Sequence, residues 1–402
     1  MFLLRFATAC HEAGYGTSEL EERVLALADA LGLSGAQVSA TPTLVELSLG
    51  PLSQQRTFTL RVRPGALDLG MIARLDELVQ DVLDASLETD AALARLEEIR
   101  AKPLVRPWPV VIAAYALAGA ALAPVIGGGR REAAAAAVVG LAVGATSLLL
   151  RTTSRTEPIV APIAAIVAGF SAAALAHVGM KISPDVVGLA ALVTFLPGMT
   201  LTVGVRELAT EHLQSGVANT ASALAQLLGL IFGYEIGRSV AVSWFGPVRE
   251  VAPEAALAAP QILAAVAAGV AFTVSMKARS RDAIVISMAT VLALVSNEAG
   301  ADVLGPQAGV FGAACAVGVA GSLVGFALRR SPLVFLVPGV LMLVPGSAGF
   351  KSALQLLEHQ TVSGVTATFD TFVTAISIAY GLMIATVVLP RRFTRVTPRV
   401  SR

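Results

Sequence analysis

Cysteine, charge and catalytic histidine are scarce in this sequence of 402 residues. The two cysteines, Cys10 and Cys315, lie far apart in the chain, so a disulfide framework is excluded and both are expected to be packed thiols. Charged residues make up 14% of the chain and the formal net charge is +1, which gives no basic surface for nucleic acid. His11-Glu12 lacks the second histidine of a zinc-protease motif, and residues 1–102 hold no nucleophile–base pair. The sequence therefore predicts no enzyme activity, no metal and no cofactor.

Apolar residues are abundant, because they make up 55% of the chain and its mean hydropathy is +0.75. These values are too high for a soluble enzyme and are typical of a protein that crosses the membrane many times. A helix needs about 20 apolar residues to span the hydrocarbon core, and we expect ten transmembrane helices. The ten segments are 107–126, 133–150, 158–179, 184–204, 217–240, 255–276, 282–299, 306–327, 331–349 and 363–390.

The ten segments form two copies of one pattern. Adding 148 to a residue number carries Pro197-Gly198 onto Pro345-Gly346, and the same shift matches several serine, threonine and glycine positions without a gap. Each copy holds five spans, and an odd number of spans reverses the direction in which the second copy enters the membrane. We therefore expect two inverted five-helix repeats, over residues 103–250 and 251–402, which is a signature of secondary transporters.

Residues 1–102 differ from the rest of the chain, because they are amphipathic throughout and hold many of its acidic residues. They predict a small soluble α+β domain that precedes the membrane helices. The strands are expected at 36–41, 43–49 and 57–63. Thr17 or Ser18 is expected to cap the second helix, with an acid three or four residues later completing a capping box.

Lysine and arginine are unevenly distributed between the two sides of the predicted bundle. With the N-terminus inside, the inner loops hold more of these cations than the outer loops. Lys102 and Arg106 before the first span, and Arg391, Arg392, Arg395 and Arg399 after the last, strengthen the bias. Loops rich in these cations stay in the cytoplasm. We expect a multi-pass protein of the inner (plasma) membrane with both termini in the cytoplasm.

The pair of predicted helix breaks, at Pro197-Gly198 and Pro345-Gly346, points most directly to a binding site. Proline removes a backbone donor and glycine adds freedom, so each pair interrupts a helix at membrane depth. A half-helix that starts there has free N–H groups and the positive end of its dipole, which attract a carboxylate. A structural kink or the ordinary end of a span is the other interpretation of either break. The match between the two copies favours a substrate site.

Polar side chains near the breaks complete the predicted substrate site. They are Thr200, Thr202, Arg206, Asn219 and Thr220 in the first copy, and Ser347 and Thr368 in the second. Arg206 is expected to bind a substrate carboxylate or to lock a gate by pairing with an acid, unless it lies in a solvated loop. Asp370 lies in an apolar span, where a carboxylate is costly, so it is the first candidate for the proton carrier or the partner of a substrate ammonium. Glu235 and Glu207 are the further candidates for proton coupling.

Several motifs resemble those of the threonine/serine exporter family, in the same order and across nearly the whole chain. They are the helix junction at 13–21, the strand signature Thr41-Pro42-Thr43, Phe195–Gly198 with Arg206-Glu207 and Gly216, Leu336–Gly339, and 344–347. Tyr15-Gly16 and Glu207 depart from the family's usual residues. The resemblance implies a cytoplasmic domain followed by ten spans, and export of small hydroxy-amino acids driven by the proton gradient.

We therefore expect a secondary exporter of threonine or serine that works by proton antiport, with a small-molecule substrate, protons and membrane lipid as its partners. The N-terminal domain would deliver substrate, gate the inner mouth or bind a regulator, and assembly into a homo-oligomer is left open. Export of a small dicarboxylate such as succinate is an alternative, in which Arg206 would matter more than Asp370. A passive channel, or a membrane-anchored hydrolase or sensor that uses the N-terminal domain, is the alternative from another class.

Overall fold

The computed structural model describes residues 1–33, 35–63, 65–150, 157–247, 258–328, 331–343, 348–352, 354 and 361–389. Within them, an N-terminal region of helices and strands precedes a bundle of apolar helices. The elements of the N-terminal region are α1 (Phe2–Ala13), α2 (Thr17–Ala30), β1 (Gln37–Thr41), β2 (Leu44–Leu49), β3 (Arg56–Arg61), α3 (Leu69–Leu83) and α4 (Thr89–Ala101).

Local sequence signals set several ends of these helices. α1 stops before Gly14, which takes a left-handed conformation with φ of 82° that glycine adopts without steric cost. α3 starts after Asp68, whose carboxylate accepts a hydrogen bond from the Met71 amide at 2.8 Å. The predicted capping box of α2 is wrong, because its cap is Gly16 and no side chain closes it. The Thr17 hydroxyl bonds instead to a residue far along the chain.

The three strands form one antiparallel sheet in the order β1-β2-β3. In the central strand, Val45 pairs with Ala40 on one side and Leu60 on the other. Val45 and Leu47 are buried, whereas Glu46 between them is exposed. Because side chains alternate along a strand, one face of the sheet turns toward α1 and α2 and the other faces outward.

A buried ion pair crosses the core of the N-terminal region. Arg23 on α2 bonds to Asp76 on α3, with Nε 2.5 Å from Oδ1 and an Nη nitrogen 3.1 Å from Oδ2. Tyr15 donates its hydroxyl to the same carboxylate at 2.7 Å, and the guanidinium lies 4.7 Å from the centre of the Tyr15 ring. A satisfied network of this kind holds α2 and α3 in one relative position.

Long apolar helices follow the N-terminal region. They are α5 (Trp108–Val125), α6 (Arg130–Leu150), α7 (Glu157–His177), α8 (Pro184–Ala191), α9 (Gly198–Ala209), α10 (Leu213–Phe245), α11 (Ala258–Ser275), α12 (Ala283–Leu304), α13 (Pro306–Leu328), α14 (Leu333–Leu343) and α15 (Thr361–Val388). A short helical stretch also covers residues 348–352.

Length and apolar composition allow eight helices in the described part of the chain to cross a membrane, or nine if α8 and α9 form one bent span. The protein is therefore an α-helical membrane protein with multiple spans. The apolar stretch Gln261–Ser275 in α11 is shorter than the other spans. Each of the ten predicted segments overlaps helical residues, and the count of ten complete spans stays a prediction.

Small residues let the membrane helices approach one another closely. A Cβ on Gly140 of α6 would lie 2.6 Å from the Tyr115 carbonyl oxygen of α5, and one on Gly237 of α10 would overlap the Ile166 carbonyl of α7. In lipid, where the hydrophobic effect gives no attraction between helices, association depends on such close packing. α5 with α6, α7 with α10, α12 with α13 and α13 with α15 form extensive pairs.

The N-terminal region packs against the helix bundle at two places. At the first, Glu77 of α3 accepts two hydrogen bonds from Arg279, between α11 and α12, at 2.5 and 2.7 Å. At the second, α2 contacts the last turn of α9 and β1 contacts the first turn of α10, where the Ser215 hydroxyl donates to the Ala40 carbonyl at 3.2 Å. These contacts fix the N-terminal region beside the end of α9.

Candidate functional site

The span formed by α8 and α9 is broken near its middle. α8 ends at Ala191, a 3₁₀ turn covers Val193–Phe195, and α9 begins at Gly198. The stretch Val193–Ala209 makes an angle of 52° with α8, so the bend lies at Leu192. Pro197 precedes α9 and has no N–H to continue the helix, and both Pro197 and Gly198 are buried. The helical structure is thus interrupted again between Phe195 and Gly198, at the position of the first predicted break.

Backbone donors are left free at this break. Within the described residues, the amides of Gly198, Met199 and Thr200 have no backbone acceptor, as expected for the first turn of a helix. The hydroxyl of Thr194, in the 3₁₀ turn, is buried and also lacks a hydrogen-bond partner there. Free amides and the positive end of the helix dipole together make a favourable place for an anionic group.

α10 runs beside the break and contributes side chains to it. Gln226 donates its side-chain amide to the Phe195 carbonyl at 2.8 Å and so satisfies an acceptor that the break exposes. Thr220 lies against Gly204 of α9, where a Cβ would come within 2.6 Å of the Thr220 hydroxyl oxygen. That hydroxyl is buried and has no partner among the residues described. Because buried polar atoms are normally bonded, the hydroxyls of Thr194 and Thr220 have capacity for a ligand.

The predicted threonines of α9 and α15 differ in burial and in whether their hydroxyl is already bonded. Thr202 is buried and its hydroxyl donates to the Gly198 carbonyl at 2.9 Å, whereas Thr200 is partly exposed. Thr368 donates to the Gly364 carbonyl of its own helix at 2.8 Å. Bonds of this kind to the preceding turn use up the hydroxyl proton, so Thr202 and Thr368 offer a ligand only an acceptor oxygen.

α15 lies on the other side of α9. Leu201 of α9, Ala223 of α10 and Ala375 of α15 pack together in one small apolar cluster. Asp370 is exposed on α15, and its carboxylate forms no ion pair or hydrogen bond within the described residues. The second predicted break, at Pro345-Gly346, and the neighbouring Ser347 lie outside the residues that the structure describes.

α9 and α10 pack together along a seam that includes Gly204 and Thr220. A buried carboxylate, that of Glu207, lies at one end of this α9–α10 seam. Glu207 is 0% exposed and lies in the last turn of α9. One of its oxygens accepts from the Asn219 side-chain amide of α10 at 2.6 Å. The other accepts from the Thr17 hydroxyl at 2.5 Å and from the Thr17 backbone amide at 3.4 Å. Glu207 therefore joins the N-terminal region to both helices of the seam.

Arg206 forms a second link to the first turn of α2, because its guanidinium pairs with the Glu19 carboxylate. Burial is the largest effect and raises the pKa of Glu19, but the charge and hydrogen bond of Arg206 together with the charge of Arg23 hold the pKa below its usual value. Nearby, His212 Nε2 lies 3.5 Å from a carboxylate oxygen of Glu21. Of the roles predicted for Arg206, the observed one is pairing with an acid.

Glu235 belongs to a different cluster, near the opposite end of the bent span. Its carboxylate lies 3.6 Å from Arg238, and Arg238 lies 3.8 Å from Asp185 at the start of α8. The buried Tyr234 donates its hydroxyl to Asp185 at 3.1 Å. The structure thus separates Glu235 from Glu207 and places it in an ion-pair network between α8 and α10.

Thr17 and Glu19 are the neighbours of the site that the sequence analysis missed. Their stretch, Gly16–Leu20, carried a helix-start signal, and the predicted partners were local. Their actual partners, Arg206 and Glu207, lie far away in the sequence. One signal could have linked them: both the stretch 13–21 and the pair Arg206-Glu207 resemble motifs of the same family. No group of three metal-ligating side chains occurs in the part of the chain that the structure describes.

Two family models match this chain. The ThrE family model, which describes threonine/serine exporters, matches residues 1–241, and a second model, "Threonine/Serine exporter, ThrE", matches residues 258–388. The chain belongs to the threonine/serine exporter family. No solved structure gives a significant match.

Curated relatives include two exporters from bacteria. The "Threonine/serine exporter" of Corynebacterium glutamicum is 24% identical over 92% of this chain and 78% of its own length. The "Probable threonine/serine exporter" of Mycobacterium tuberculosis (strain ATCC 25618 / H37Rv) is 25% identical over 95% of this chain and 74% of its own. The "Pheromone-regulated membrane protein 10" of Saccharomyces cerevisiae (strain YJM789) is 27% identical over 60% of this chain and 31% of its own length.

Proposed function

We propose that this protein exports threonine and serine, and that the substrate binds at the break between α8 and α9. The break supports this most strongly, because it leaves amides free beside buried, unpartnered threonine hydroxyls in a bundle of membrane helices. The names of the two bacterial relatives supply the substrate class. The proposal assigns the chain no enzymatic step.

A hydroxy-amino acid has three polar groups, and the proposed site has a partner for each. The amides of residues 198–200 bind the carboxylate. The oxygens of Thr194, Thr202 and Thr220 accept from the ammonium or bond to the substrate hydroxyl. Asp370 supplies a negative charge for the ammonium or carries the coupled proton.

The second half of the chain is proposed to supply a matching break at Pro345-Gly346, with Ser347 and Thr368 beside it, in an inverted repeat. The constant sequence offset supports this, and so does the packing of α10 on α7 in one half and of α15 on α13 in the other. The proposed orientation places both termini and the N-terminal region on the cytoplasmic side of the inner membrane.

Proton coupling is proposed to run through Asp370. A carboxylate in an apolar membrane helix is costly, which favours a functional role, and Asp370 forms no ion pair or hydrogen bond within the described residues. Glu207 and Glu235 are held by hydrogen bonds or ion pairs in this structure. They are therefore the second choice for the coupled proton.

Transport in proteoliposomes tests the proposal. We would measure efflux and counterflow of radiolabelled L-threonine, L-serine and succinate, with and without an imposed proton gradient, and we expect gradient-dependent flux of threonine or serine. Asp370→Asn is expected to abolish the response to the gradient. Asp302→Asn is the matched control, because Asp302 is exposed near the end of α12 and should leave transport unchanged. Flux of succinate alone would contradict the proposed substrate, and flux that ignores the gradient would contradict coupling.

A further inference from the structure

The first turn of α2 presents an unusual set of groups to the end of α9. Thr17 offers a backbone N–H and a hydroxyl, and both point to one oxygen of Glu207. Glu19 offers a carboxylate, which pairs with Arg206. An amino nitrogen, a hydroxyl and a carboxylate are also the three polar groups of free threonine or serine. Thr17 is 3% exposed and Glu207 is 0% exposed, so water is excluded from these bonds.

We propose that Arg206, Glu207 and Asn219 form a recognition site for a free hydroxy-amino acid, and that the first turn of α2 occupies this site as an internal competitor. This inference rests on the proposed function. Arg206 binds the carboxylate of the amino acid, and Glu207 binds its ammonium and hydroxyl. Asn219 orients the Glu207 carboxylate through its second oxygen. The site is an entry site, because Thr220 and Gln226 continue the α9–α10 seam from here to the break.

The fit of the internal competitor is incomplete. One oxygen of Glu19 is buried without a hydrogen-bond partner within the described residues, so its pairing with Arg206 uses a single oxygen. The Thr17 amide is neutral and lies 3.4 Å from Glu207. A free amino acid brings a charged ammonium and a carboxylate able to bond to both arms of a guanidinium, and such charge-assisted bonds are stronger. The α2 turn belongs to the same chain, so its effective concentration at the site is high, and this offsets its weaker bonds.

Gly16 leaves room for the Glu19 carboxylate, because a Cβ there would meet one of its oxygens. The second contact of the N-terminal region, between Glu77 and Arg279, shares no residue with this site. Displacement therefore requires only that the first turn of α2 leave Arg206 and Glu207, while the rest of α2 stays joined to α3 through Arg23 and Asp76. Free substrate opens the seam by replacing the turn, so export starts only when substrate on this side is abundant.

Binding of labelled L-threonine to the purified full-length protein tests the competition. Thr17→Val removes the hydroxyl and keeps the shape, and we expect the dissociation constant to fall roughly tenfold, because one bond to a charged partner is lost from the competitor only. Thr17→Ser should behave as wild type. Thr8→Val is the matched control, since Thr8 bonds only within α1. The gain should disappear in the double variant Thr17→Val with Glu207→Gln. An unchanged dissociation constant for Thr17→Val, or a gain that persists in the double variant, would overturn the inference.

Hydrogen exchange of the wild-type protein tests the same idea without a variant. Saturating L-threonine or L-serine is expected to speed exchange of the amides in residues 16–20, while exchange in α3 stays unchanged. Slower or unaltered exchange at 16–20 would overturn the inference, and so would an equal effect of L-alanine, which lacks the hydroxyl. If wild-type protein transports threonine or serine but neither result appears, this inference alone fails. If it transports neither amino acid, the proposed function fails as well.

Discussion

The buried pair of Arg23 and Asp76 is expected to contribute strongly to the stability of the N-terminal region. Asp76→Asn leaves the Arg23 guanidinium buried beside Tyr15 without its counter-charge. An uncompensated buried charge costs about 3–5 kcal/mol, so we expect a large drop in the unfolding temperature of the purified protein. Glu97→Gln is the control, because it breaks an exposed pair with Arg5 and should cost less than about 1 kcal/mol. Equal shifts in the two variants would contradict this interpretation of the buried pair.

Pro197 is the residue on which the break depends. Pro197→Ala restores a backbone donor at the position where the span is interrupted, and it lets the helix continue toward α9. We expect threonine efflux from proteoliposomes to fall roughly tenfold, the change that about 1.4 kcal/mol of lost substrate binding would produce.

Pro124→Ala is the matched control for the proline substitution, because Pro124 lies inside the end of α5 rather than at the break. It should leave efflux near the wild-type level. Unchanged efflux in Pro197→Ala would show that the break is an ordinary kink.

In the helix pair α7–α10, a small residue lets the two helix backbones approach closely. A Cβ on Gly237 overlaps the Ile166 carbonyl, which belongs to the backbone and has no room to yield. Gly237→Ala should therefore push the two helices apart and lower the unfolding temperature in detergent, because close packing is what holds membrane helices together. Gly312→Ala on α13 is the control, since nothing lies within 4 Å of its added Cβ. A similar loss in both variants would point to backbone effects instead of packing.

The elements that the sequence predicted well are those whose structure depends on residues close together in the sequence. Proline and glycine placed the break at 197–198, and the strand pattern placed strands at 36–41, 43–49 and 57–63, close to the observed β1, β2 and β3. The predicted cap at Thr17 failed because its hydroxyl is bonded to Glu207 on another element. Contacts of this kind depend on the tertiary arrangement, and no local pattern encodes them. The exposure of Asp370 was equally hidden, since one sequence does not show which face of α15 is covered.

Two of the carboxylates that attach the N-terminal region to the helix bundle, Glu19 and Glu77, have a lowered pKa. Burial raises the pKa of Glu19, but the charge and hydrogen bond of Arg206 together with the charge of Arg23 lower it, and the hydrogen bond from Arg279 lowers the pKa of Glu77. A group whose pKa is lowered in the folded state stabilises that state fully above its ordinary pKa, near 4.5 for glutamate, and less as the pH falls through the lowered value.

We therefore expect the attachment to be stable at neutral pH and to weaken only below about pH 4.5. Hydrogen exchange of α2 and α3 between about pH 6 and pH 3, corrected for the intrinsic pH dependence of exchange, measures this. Loss of protection near pH 6 would contradict the prediction.

The bent span is tied to one partner at both of its ends. Asp185, at its start, bonds to Tyr234 of α10, and Glu207, near its finish, bonds to Asn219 of the same helix. α10 is continuous over 33 residues and so acts as a strut that sets the separation of the two attachments. With both ends held, the span has little freedom to tilt as a rigid rod. Its main internal degree of freedom lies in the stretch from Leu192 to Pro197, which ends where the free amides lie.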